Sequence, residues 1–541
     1  MKTWNWLQAP EAIPAESILS EERADILVLG GGHAGTAAAL AAAEAGASVI
    51  VLEQQGEKNF QVFGAQMGVL NSRFLQARGL PEYDPVEFME EYQHRSLNRA
   101  NPFLIRQYAY HSGETLDWLT DRLTTETRDN IKIFMQRKPS HYSGISNGFR
   151  TYQGTAMFVN TNFSIGPGGR PNGAPLSMTP ATREMHARIR ALGGRIFYGI
   201  TLHDLVQENG RITGAIGRDR QKQYIKFCGE RGVILATGDF SANRDMVMDL
   251  LPEYAELIEY GEKYPWLPAG RRGTGIRLGL LAGGHMEPGP RGGMWACVRG
   301  NGGPLDGTAC LRLNSRGKRY TNEGILGYWG AGLQGARQPA GPIVTLWDAN
   351  WREELECQQM GHNNVDVGDD FTMQDKARIM ERAREAGVME IPGAPGAKAA
   401  PNRLYCAETL EELAEKLGYT DERKAVFLAS VDRYNELCAA GRDEDFAKDP
   451  NLLHPLATAP FYGYQENDPR VGFLMVTVCG LVVDENQQVV DSSGDPIPGL
   501  FATGNCSGER FPIMYTTPIS GISIGMAWTL GKAVGEYLAG L

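Results

Sequence analysis

The sequence predicts a large α/β protein in which a discontinuous domain with a parallel sheet is interrupted by an inserted α+β cap domain. Two observations predict this class. Short apolar runs that end at glycine alternate with helical patterns at both ends of the chain, which is typical of parallel strands covered by helices. Between them, helical patterns such as ETLEELAEKLG dominate. The length of 541 residues exceeds one ordinary domain, so two or three domains are expected.

The domain boundaries follow from these shifts in pattern. Residues 1–22 are expected to form an irregular N-terminal extension. Residues 23–289 and 471–541 together would make the parallel-sheet domain, and residues 290–470 the cap domain. The predicted organisation is therefore one domain split by the insertion of another.

Composition and charge exclude several classes of protein. The formal net charge of −11 argues against a nucleic-acid partner, because nucleic-acid-binding surfaces are basic. No run of 18 or more apolar residues occurs, so no membrane span is expected. The N-terminus lacks a basic segment followed by an apolar one, and we therefore predict no secretory signal.

The eight cysteines are scattered along the chain. None belongs to a C-x-x-C or C-x-x-C-H motif, which disfavours zinc ribbons, iron–sulfur clusters and c-type haem. We predict no metal site. Single cysteines in a chain without a signal are expected to be reduced thiols, which points to the cytoplasm.

The strongest motif lies between the first predicted strand and the first helix. Gly30, Gly32 and Gly35 spell G-x-G-x-x-G directly after ADILVL, and the alanine-rich helix TAAALAAAEAG follows. Glycines at this spacing allow a tight turn and let the backbone approach a pyrophosphate, which the helix N-terminus then binds. The motif predicts a dinucleotide site that includes Ala34 and His33, with His33 as a neighbour of the pyrophosphate rather than a catalytic base.

A second strand, SVIVLEQ, follows this helix and ends at Glu53 and Gln54. A carboxylate at the end of the second strand of such a βαβ unit accepts hydrogen bonds from ribose hydroxyls. We therefore add Glu53 and Gln54 to the predicted cofactor site.

Two later strands also end on small residues. The segment RGVILATGDF ends its strand at Ala236, Thr237 and Gly238, and PGLFATGN ends its strand at Gly504 and Asn505. Both segments are similar to parts of the flavoproteins that bind two dinucleotides, and the second is similar to their C-terminal flavin-contacting segment. These five residues are predicted cofactor contacts.

The stretches from RGKRYTNE through TLEELAEKLG and RYNEL to PGLFATGN resemble the family of FAD proteins that contains fumarate reductases and 3-ketosteroid dehydrogenases. The resemblance covers roughly residues 24–541. It implies an FAD domain split by a cap, with the N-terminus of the final helix, ISIGMAWTLG, at the flavin pyrimidine, where it stabilises negative charge. Ser523 and Ile524 would then contact the cofactor. No histidine lies in surroundings typical of covalent flavin attachment, so the FAD is expected to be non-covalent.

Family members that reduce fumarate bind a dicarboxylate with arginines and a His-Thr pair, and this sequence departs from that pattern. The His-Thr-x-Gly-Gly pattern is represented by residues 476–480, where Val476 replaces the histidine. The catalytic arginine, four residues after Glu323 of the R-x-x-N-E motif, is replaced by Gly327, which Tyr328 follows. Tyr515 stands at the position of the second arginine. Because a dianion needs such donors, we expect neither fumarate nor succinate as substrate.

The replacements resemble the ketosteroid dehydrogenase branch, which surrounds an enone with tyrosine hydroxyls and one glycine amide. Its helix motif G-A-T-I-G-P-A-M-T-F-G is similar to GISIGMAWTLG and implies that Gly521 polarises the substrate carbonyl. Tyr515 and Tyr328 are the candidate catalytic tyrosines, although the branch's own tyrosine position, four residues before that glycine, holds Thr517. A neutral tyrosine, with a pKa of about 10, can donate a proton to the α carbon while the carbonyl gains enolate character.

Three other side chains are weaker candidates. Tyr142 and Tyr152 belong to a polar stretch near residues 135–180 that is predicted to form loops. Arg510 either binds an anionic substituent of the substrate or forms a surface salt bridge.

These features predict an FAD-dependent oxidoreductase that transfers a hydride between flavin N5 and the C=C bond of an enone-type molecule, steroid-like, polycyclic or aromatic, in the direction of reduction. A 3-ketosteroid-type dehydrogenase, or another FAD dehydrogenase or oxidase of a small substrate, remains open. The start GGGHAGTAAALAAA is also similar to tRNA-modifying flavoproteins, but the acidic composition disfavours that alternative. A non-catalytic electron-transfer subunit is the fourth alternative. Because no second G-x-G-x-x-G occurs, electrons are expected from an external donor such as NADH, reduced flavin or a redox protein.

Overall fold

The apolar segments that end at Leu29, Leu52 and Leu235 form neighbouring parallel strands in the computed structural model of this chain. The structure describes residues 5–133, 145–146, 149–150, 152–158, 177–252, 271–297, 303–305, 308–324, 334–335, 337–356, 370–391, 401–467 and 472–541. Tyr142, Gly327 and Tyr328 lie outside these described residues.

The strands within the described residues are β1 (Ile18–Leu29), β2 (Val49–Glu53), β3 (Gln66–Gly68), β4 (Ile131–Ile133), β5 (Ile145–Ser146), β6 (Phe149–Arg150), β7 (Thr155–Phe158), β8 (Arg195–Tyr198), β9 (Thr201–Glu208), β10 (Arg211–Arg218), β11 (Tyr224–Leu235), β12 (Gly293–Cys297), β13 (Leu311–Leu313), β14 (Ile343–Trp347), β15 (Val388–Ile391), β16 (Asn402–Ala407), β17 (Phe461–Glu466), β18 (Gly472–Thr477), β19 (Gln488–Val490) and β20 (Pro496–Ala502).

The α-helices within the same ranges are α1 (His33–Glu44), α2 (Arg73–Gln76), α3 (Pro85–Arg95), α4 (Pro102–Thr120), α5 (Thr125–Asp129), α6 (Thr179–Ala191), α7 (Arg244–Leu250), α8 (Thr274–Leu281), α9 (Trp351–Glu356), α10 (Asp370–Ala386), α11 (Leu410–Lys416), α12 (Asp421–Ala440) and α13 (Ile522–Gly540). None of these helices is long and apolar enough to cross a membrane.

The main sheet has eight strands in the order β19-β20-β11-β1-β2-β8, with β10 paired to β11 and β9 paired to β10. Strands β20, β11, β1, β2 and β8 are parallel to one another, so their carboxyl ends meet at one edge. The centre of the sheet excludes solvent, because the side chains of residues 26–29 and 233–235 are at most 1% exposed. The predicted βαβ unit is confirmed.

Small residues bring the first and last helices together beside this sheet. The alanine-rich α1 is buried from Ala34 to Ala43. A Cβ on Gly531 or Gly535 of α13 would overlap the carbonyl oxygens of Ala34 and Ala38, so only glycine permits this approach. The contact packs the middle of α13 against α1, the helix that follows the glycine turn.

A second, five-stranded antiparallel sheet has the order β13-β14-β17-β16-β15 and is built entirely from residues 311–466. One of its faces packs on α11 and α12 through residues such as Leu313, Leu413 and Phe427. The other face carries Trp347 and packs on α9 and α10. This mixed sheet-and-helix unit confirms the predicted fold class, a parallel-sheet domain with an α+β cap.

Two short segments connect the units. The antiparallel pair β12 and β18 lies where the chain enters and leaves the region of the second sheet. The domain limits at residues 290 and 470 stay predictions, although both lie beside this pair.

The N-terminal part of the chain differs from the prediction. Strand β1 begins at Ile18, within the segment expected to be an irregular extension, and residues 18–23 pair with 224–228 of β11. Most side chains from Ile18 to Arg23 are exposed, so this part of the strand has no apolar run that a sequence pattern could reveal. A hairpin joins β9 and β10, with Asn209 and Gly210 of its turn both at positive φ.

Candidate functional site

The predicted glycine turn lies at the carboxyl end of β1, and its three glycines have different roles. Gly30 has a φ of +115°, and a Cβ there would overlap the Ala236 carbonyl oxygen. A Cβ on Gly35 would overlap the Gly30 carbonyl oxygen. A Cβ on Gly32, the residue before α1, would meet no atom within 4 Å. Two glycines therefore allow close packing, while the third leaves open space at the helix N-terminus.

Glu53 lies at the end of β2, directly beneath this turn, and is 5% exposed. Its Oε2 accepts a hydrogen bond of 3.0 Å from the Gly31 N–H, and its Oε1 accepts one of 2.8 Å from the Gln55 N–H. Burial raises the pKa of the Glu53 carboxyl, whereas these hydrogen bonds oppose that effect. Gln54, the neighbouring prediction, is exposed. The Gln54 backbone and the Gln55 side chain also hydrogen-bond the Glu53 carboxylate. A carboxylate at the end of the second strand is the group that suits a ribose hydroxyl.

His33, the first residue of α1, is held by two hydrogen bonds. Trp528 Nε1–H donates to His33 Nδ1 at 3.1 Å, and because an indole nitrogen only donates, His33 Nε2–H donates to the Phe63 carbonyl at 2.9 Å. Burial lowers the pKa of His33 to about 4, with Arg271 contributing. The neutral imidazole of His33, with both ring nitrogens hydrogen-bonded, links the glycine turn to α13 and does not act as an acid or a base near pH 7.

The second predicted segment follows β11 at the same sheet edge. The Ala236 N–H donates to the Leu29 carbonyl at 2.9 Å, which joins the segment to the glycine turn. Thr237 Oγ1 accepts a 3.0 Å hydrogen bond from the Gly275 N–H near the start of α8. A Cβ on Gly238 would meet no atom within 4 Å. Open space is therefore present at the end of this segment as well as at Gly32.

The third predicted segment follows β20 and completes the edge. The Thr503 N–H donates to the Leu235 carbonyl at 3.0 Å, and a Cβ on Gly504 would lie 2.8 Å from the Ala34 Cβ. Asn505 Oδ1 accepts a 2.9 Å hydrogen bond from Arg510 Nη2. The structure thus brings all three predicted segments together at the carboxyl ends of adjacent parallel strands.

The start of α13 closes the site on its other side. Gly521 precedes the helix with a φ of +80°, and a Cβ there would overlap the Gln66 carbonyl oxygen. The Gly521 carbonyl in turn accepts a 3.0 Å hydrogen bond from the Gly68 N–H. Ser523 and Ile524 follow in the first turn, at the positive end of the helix dipole, and the Ile524 N–H donates to the Gly521 carbonyl at 3.1 Å.

Tyr515 is 1% exposed and its hydroxyl lies at this helix start, hydrogen-bonded to the backbone and side chain of Ser523. Its ring packs on Phe511 with centroids 4.8 Å apart. Burial raises the pKa of Tyr515 above its ordinary value, so the phenol is neutral at every physiological pH. The Tyr515 hydroxyl therefore keeps its proton beside the positive end of α13.

Arg510 is fully buried, so the surface salt bridge considered for it is wrong. Its Nε donates to the Ser507 carbonyl at 3.1 Å and its Nη2 to Asn505 Oδ1. Its Nη1 is buried without a partner in the part of the chain that the structure describes. These bonds fix the loop that carries Asn505, and burial lowers the pKa of the guanidinium.

The segment that replaces the His-Thr pair carries no charge. Val476 and Cys479 are buried, and Thr477 Oγ1 accepts a 3.1 Å hydrogen bond from the Phe240 N–H. Burial raises the pKa of the Cys479 thiol well above its ordinary value, so it too is neutral.

The R-x-x-N-E motif lies in the second unit and is a buried ionic network. Arg319 Nη2 donates to Glu323 Oε2 at 2.8 Å and to Asp443 Oδ2 at 2.7 Å, and all three side chains are at most 6% exposed. The network anchors the chain just before the segment with Tyr328, which lies outside the described residues.

Tyr152, a weaker candidate, lies in an aromatic cluster. Its hydroxyl donates to Glu87 Oε1 at 3.3 Å, and its ring packs edge-on against Tyr83 and Phe88.

Sequence reasoning also missed His186, whose ring nitrogens contact the glycine turn and Tyr198. A single histidine in the helical pattern TREMHARIRALG gives no signal of such a contact.

The arrangement fits FAD. The open space at Gly32 and Gly238 meets the N-terminus of α1, which suits a pyrophosphate, and the Glu53 carboxylate, which suits a ribose. The N-terminus of α13, which is the positive end of the helix dipole, lies beside this site, which suits the reduced flavin ring. Fold and site together define the class as an FAD-dependent oxidoreductase.

A family model described as an FAD binding domain matches residues 25–522, and the chain belongs to this family. Its relatives are reductases and dehydrogenases of CH–CH bonds, and this chain is an oxidoreductase of that kind. A vinyl phenol reductase of Lactiplantibacillus plantarum is 26% identical over 95% of this chain and 96% of its own length. A 3-oxosteroid 1-dehydrogenase of Mycobacterium tuberculosis is 24% identical over 95% of this chain and 98% of its own length.

The fold is shared with a solved 3-ketosteroid-Δ4-(5α)-dehydrogenase of Rhodococcus jostii. The TM-score is 0.65 at 22% identity, and the match covers 96% of this chain and 97% of that structure.

Proposed function

We propose that this enzyme reduces a C=C bond conjugated to a neutral electron-withdrawing group, such as the ketone of an enone, in a steroid-like, polycyclic or aromatic molecule. The observation that carries the proposal is the buried Tyr515 hydroxyl at the N-terminus of α13. Bound FAD supplies the hydride for the β carbon of such a substrate. The chain must then supply a proton for the α carbon and stabilise charge on the carbonyl oxygen.

Tyr515 and the start of α13 suit these two tasks. The phenol holds its proton at all physiological pH values, and its oxygen is oriented by Ser523. The Gly521 amide and the first turn of α13 offer positive partial charge to a developing enolate oxygen. In this proposal Tyr515 gives its proton to the α carbon, and the helix start stabilises the resulting phenolate until solvent restores the proton.

The charge around the site favours a neutral substrate. Position 476 holds valine and position 515 holds tyrosine, where fumarate-reducing relatives are expected to hold a histidine and an arginine. The Nε and Nη2 atoms of Arg510 donate hydrogen bonds to Ser507 and Asn505. The names of two relatives, a vinyl phenol reductase and a 3-oxosteroid 1-dehydrogenase, support a neutral substrate that carries a phenol or ketone ring.

We also propose that FAD is non-covalent and that electrons arrive from NADH, free reduced flavin or a redox protein. Histidines 33 and 186, which lie at the cofactor site, have both ring nitrogens engaged in hydrogen bonds within the protein. Denaturation by heat or acid should leave the yellow colour in the supernatant. Colour that stays with the precipitated protein would contradict non-covalent binding.

The experiment that tests the proposal is the Tyr515→Phe variant, which keeps the ring and removes the hydroxyl. Reoxidation of the reduced variant by an enone should be at least tenfold slower than in the wild type, because loss of a proton donor costs about 10²–10⁴ in rate. Tyr419→Phe is the matched control, since Tyr419 is equally buried but donates to the Asn314 carbonyl in the second unit. A Tyr515→Phe enzyme that keeps FAD and reoxidises like the control would refute the role of Tyr515.

A further inference from the structure

His186 occupies a buried position between α6, α1 and β8, and it is 2% exposed. Its Nε2 lies 3.0 Å from the Gly31 carbonyl oxygen and 2.9 Å from Thr36 Oγ1. Its Nδ1 lies 2.6 Å from the Tyr198 hydroxyl. The ring also packs on Phe60, with centroids 4.7 Å apart.

These contacts fix the proton of the ring. Thr36 donates its single hydroxyl proton to the Gly31 carbonyl at 2.9 Å, so both atoms that face Nε2 are acceptors. Nε2 therefore carries the hydrogen, and Nδ1 accepts from Tyr198. Burial lowers the pKa of His186 to about 4, and the nearby Arg190 and Arg183 act in the same direction, so the ring is neutral near pH 7.

The group that His186 holds is the Gly31 peptide. Its carbonyl accepts from His186 and Thr36, and its N–H donates to Glu53 Oε2. A Cβ on Gly31 would lie 3.3 Å from both Glu53 Oε2 and His186 Cε1. The spacing of the G-x-G-x-x-G motif leaves position 31 free, yet in this protein a Cβ there would be in tight contact with both side chains, which would have to shift by a few tenths of an ångström.

We propose that His186 is a positioning residue for FAD, acting through the Gly31 peptide. By fixing that peptide it orients the turn that faces the pyrophosphate at Gly32, and it sets the carboxylate of Glu53 that faces the ribose. Without the Nε2–H donor, the Gly31 carbonyl keeps only Thr36, and both cofactor contacts lose their fixed geometry. The role concerns retention of FAD and is independent of which substrate the enzyme reduces.

The test compares His186→Leu with His186→Gln by diluting the holoenzyme and following released FAD by its fluorescence. The leucine variant should raise the Kd for FAD about tenfold, which corresponds to the loss of one buried hydrogen bond. Glutamine retains a side-chain N–H that can reach the Gly31 carbonyl, so it should recover at least part of the affinity.

Met185→Ala is the matched control, because Met185 is a fully buried neighbour on α6 that contacts the core and not the turn. The control should lower the thermal unfolding temperature without a comparable change in Kd. A leucine variant with the wild-type Kd, or one that loses affinity no more than the control at equal loss of stability, would overturn the proposal. If His186→Leu does not fold, Gly31→Ala is the second test variant. An unchanged Kd for FAD in that variant would also overturn the proposal.

Discussion

Glu53 is the residue on which the cofactor site depends most directly. Its carboxylate accepts hydrogen bonds from the Gly31 and Gln55 N–H groups, and it lies at the end of β2, where a dinucleotide ribose is expected. Glu53→Ala should therefore raise the Kd for FAD by about 10–100-fold, since hydrogen bonds to a charged group contribute about 1.5–3 kcal/mol each. Titration of the FAD-depleted protein measures the change. Glu57→Ala, which removes a largely exposed carboxylate nearby, is the control and should leave the Kd unchanged.

His33 should make stability depend on pH. Its pKa is lowered from 6.5 to about 4 in the folded protein, so its neutral form stabilises the fold fully above pH 6.5. As the pH falls from 6.5 towards 4, His33 becomes protonated in the unfolded chain but stays neutral in the folded chain. Its contribution to the stability of the fold is therefore lost. The difference in unfolding temperature between wild type and His33→Gln should therefore shrink over that range. A difference that stays constant from pH 7.5 to 4 would show that His33 is not held neutral.

Sequence reasoning identified the residues whose role follows from a local motif. The three motif glycines and Glu53 belong to one βαβ unit, in which spacing alone fixes position. His186 could not be found in this way, because its role depends on contacts with Gly31, Thr36 and Tyr198 from three other elements. The burial of Arg510 depends equally on the loop folding back on itself.

At the scale of elements, the start of α13 joins cofactor site and fold. Gly521 has a positive φ and no room for a Cβ, so Gly521→Ala should destabilise the protein by about 1–3 kcal/mol and reduce its FAD content. Gly540→Ala, at the other end of the same helix, has open space around it and should be neutral. Thermal unfolding and the flavin absorbance of the purified variants measure both effects. Equal behaviour of the two variants would contradict the role given to the helix start.

Elements with a strong apolar pattern were predictable and others were not. The helices α6, α11 and α12 and the strands around Leu29 and Leu235 follow from periodicity and from glycine stops. The first half of β1 does not, because its pairing with β11 uses backbone hydrogen bonds while its side chains stay exposed. The five-stranded sheet was not predicted for a different reason, since its strands are short and separated by long helical patterns.

At the scale of the whole molecule, an inserted unit interrupts a cofactor-binding domain whose three contact segments are far apart in sequence. The sequence predicted this order, because the same strand–turn–helix pattern returns after residue 470. It could not establish which side chains lie over the flavin, because the candidate Tyr328 rests on a motif alone and lies outside the described residues. The central claim about the molecule is therefore its preference for a neutral conjugated substrate over a dicarboxylate.

The most direct test of that claim is anaerobic stopped-flow reoxidation of the dithionite-reduced protein by a ketosteroid, a cyclohexenone, 4-vinylphenol and fumarate. We expect at least one neutral compound to reoxidise the flavin at roughly 1 per second or faster, which is the range of ordinary enzyme turnover. Fumarate should be at least about 10²-fold slower, because the cationic donors for its carboxylates are missing. Reoxidation by fumarate at an enzyme-like rate, with none of the neutral compounds exceeding it, would contradict the claim.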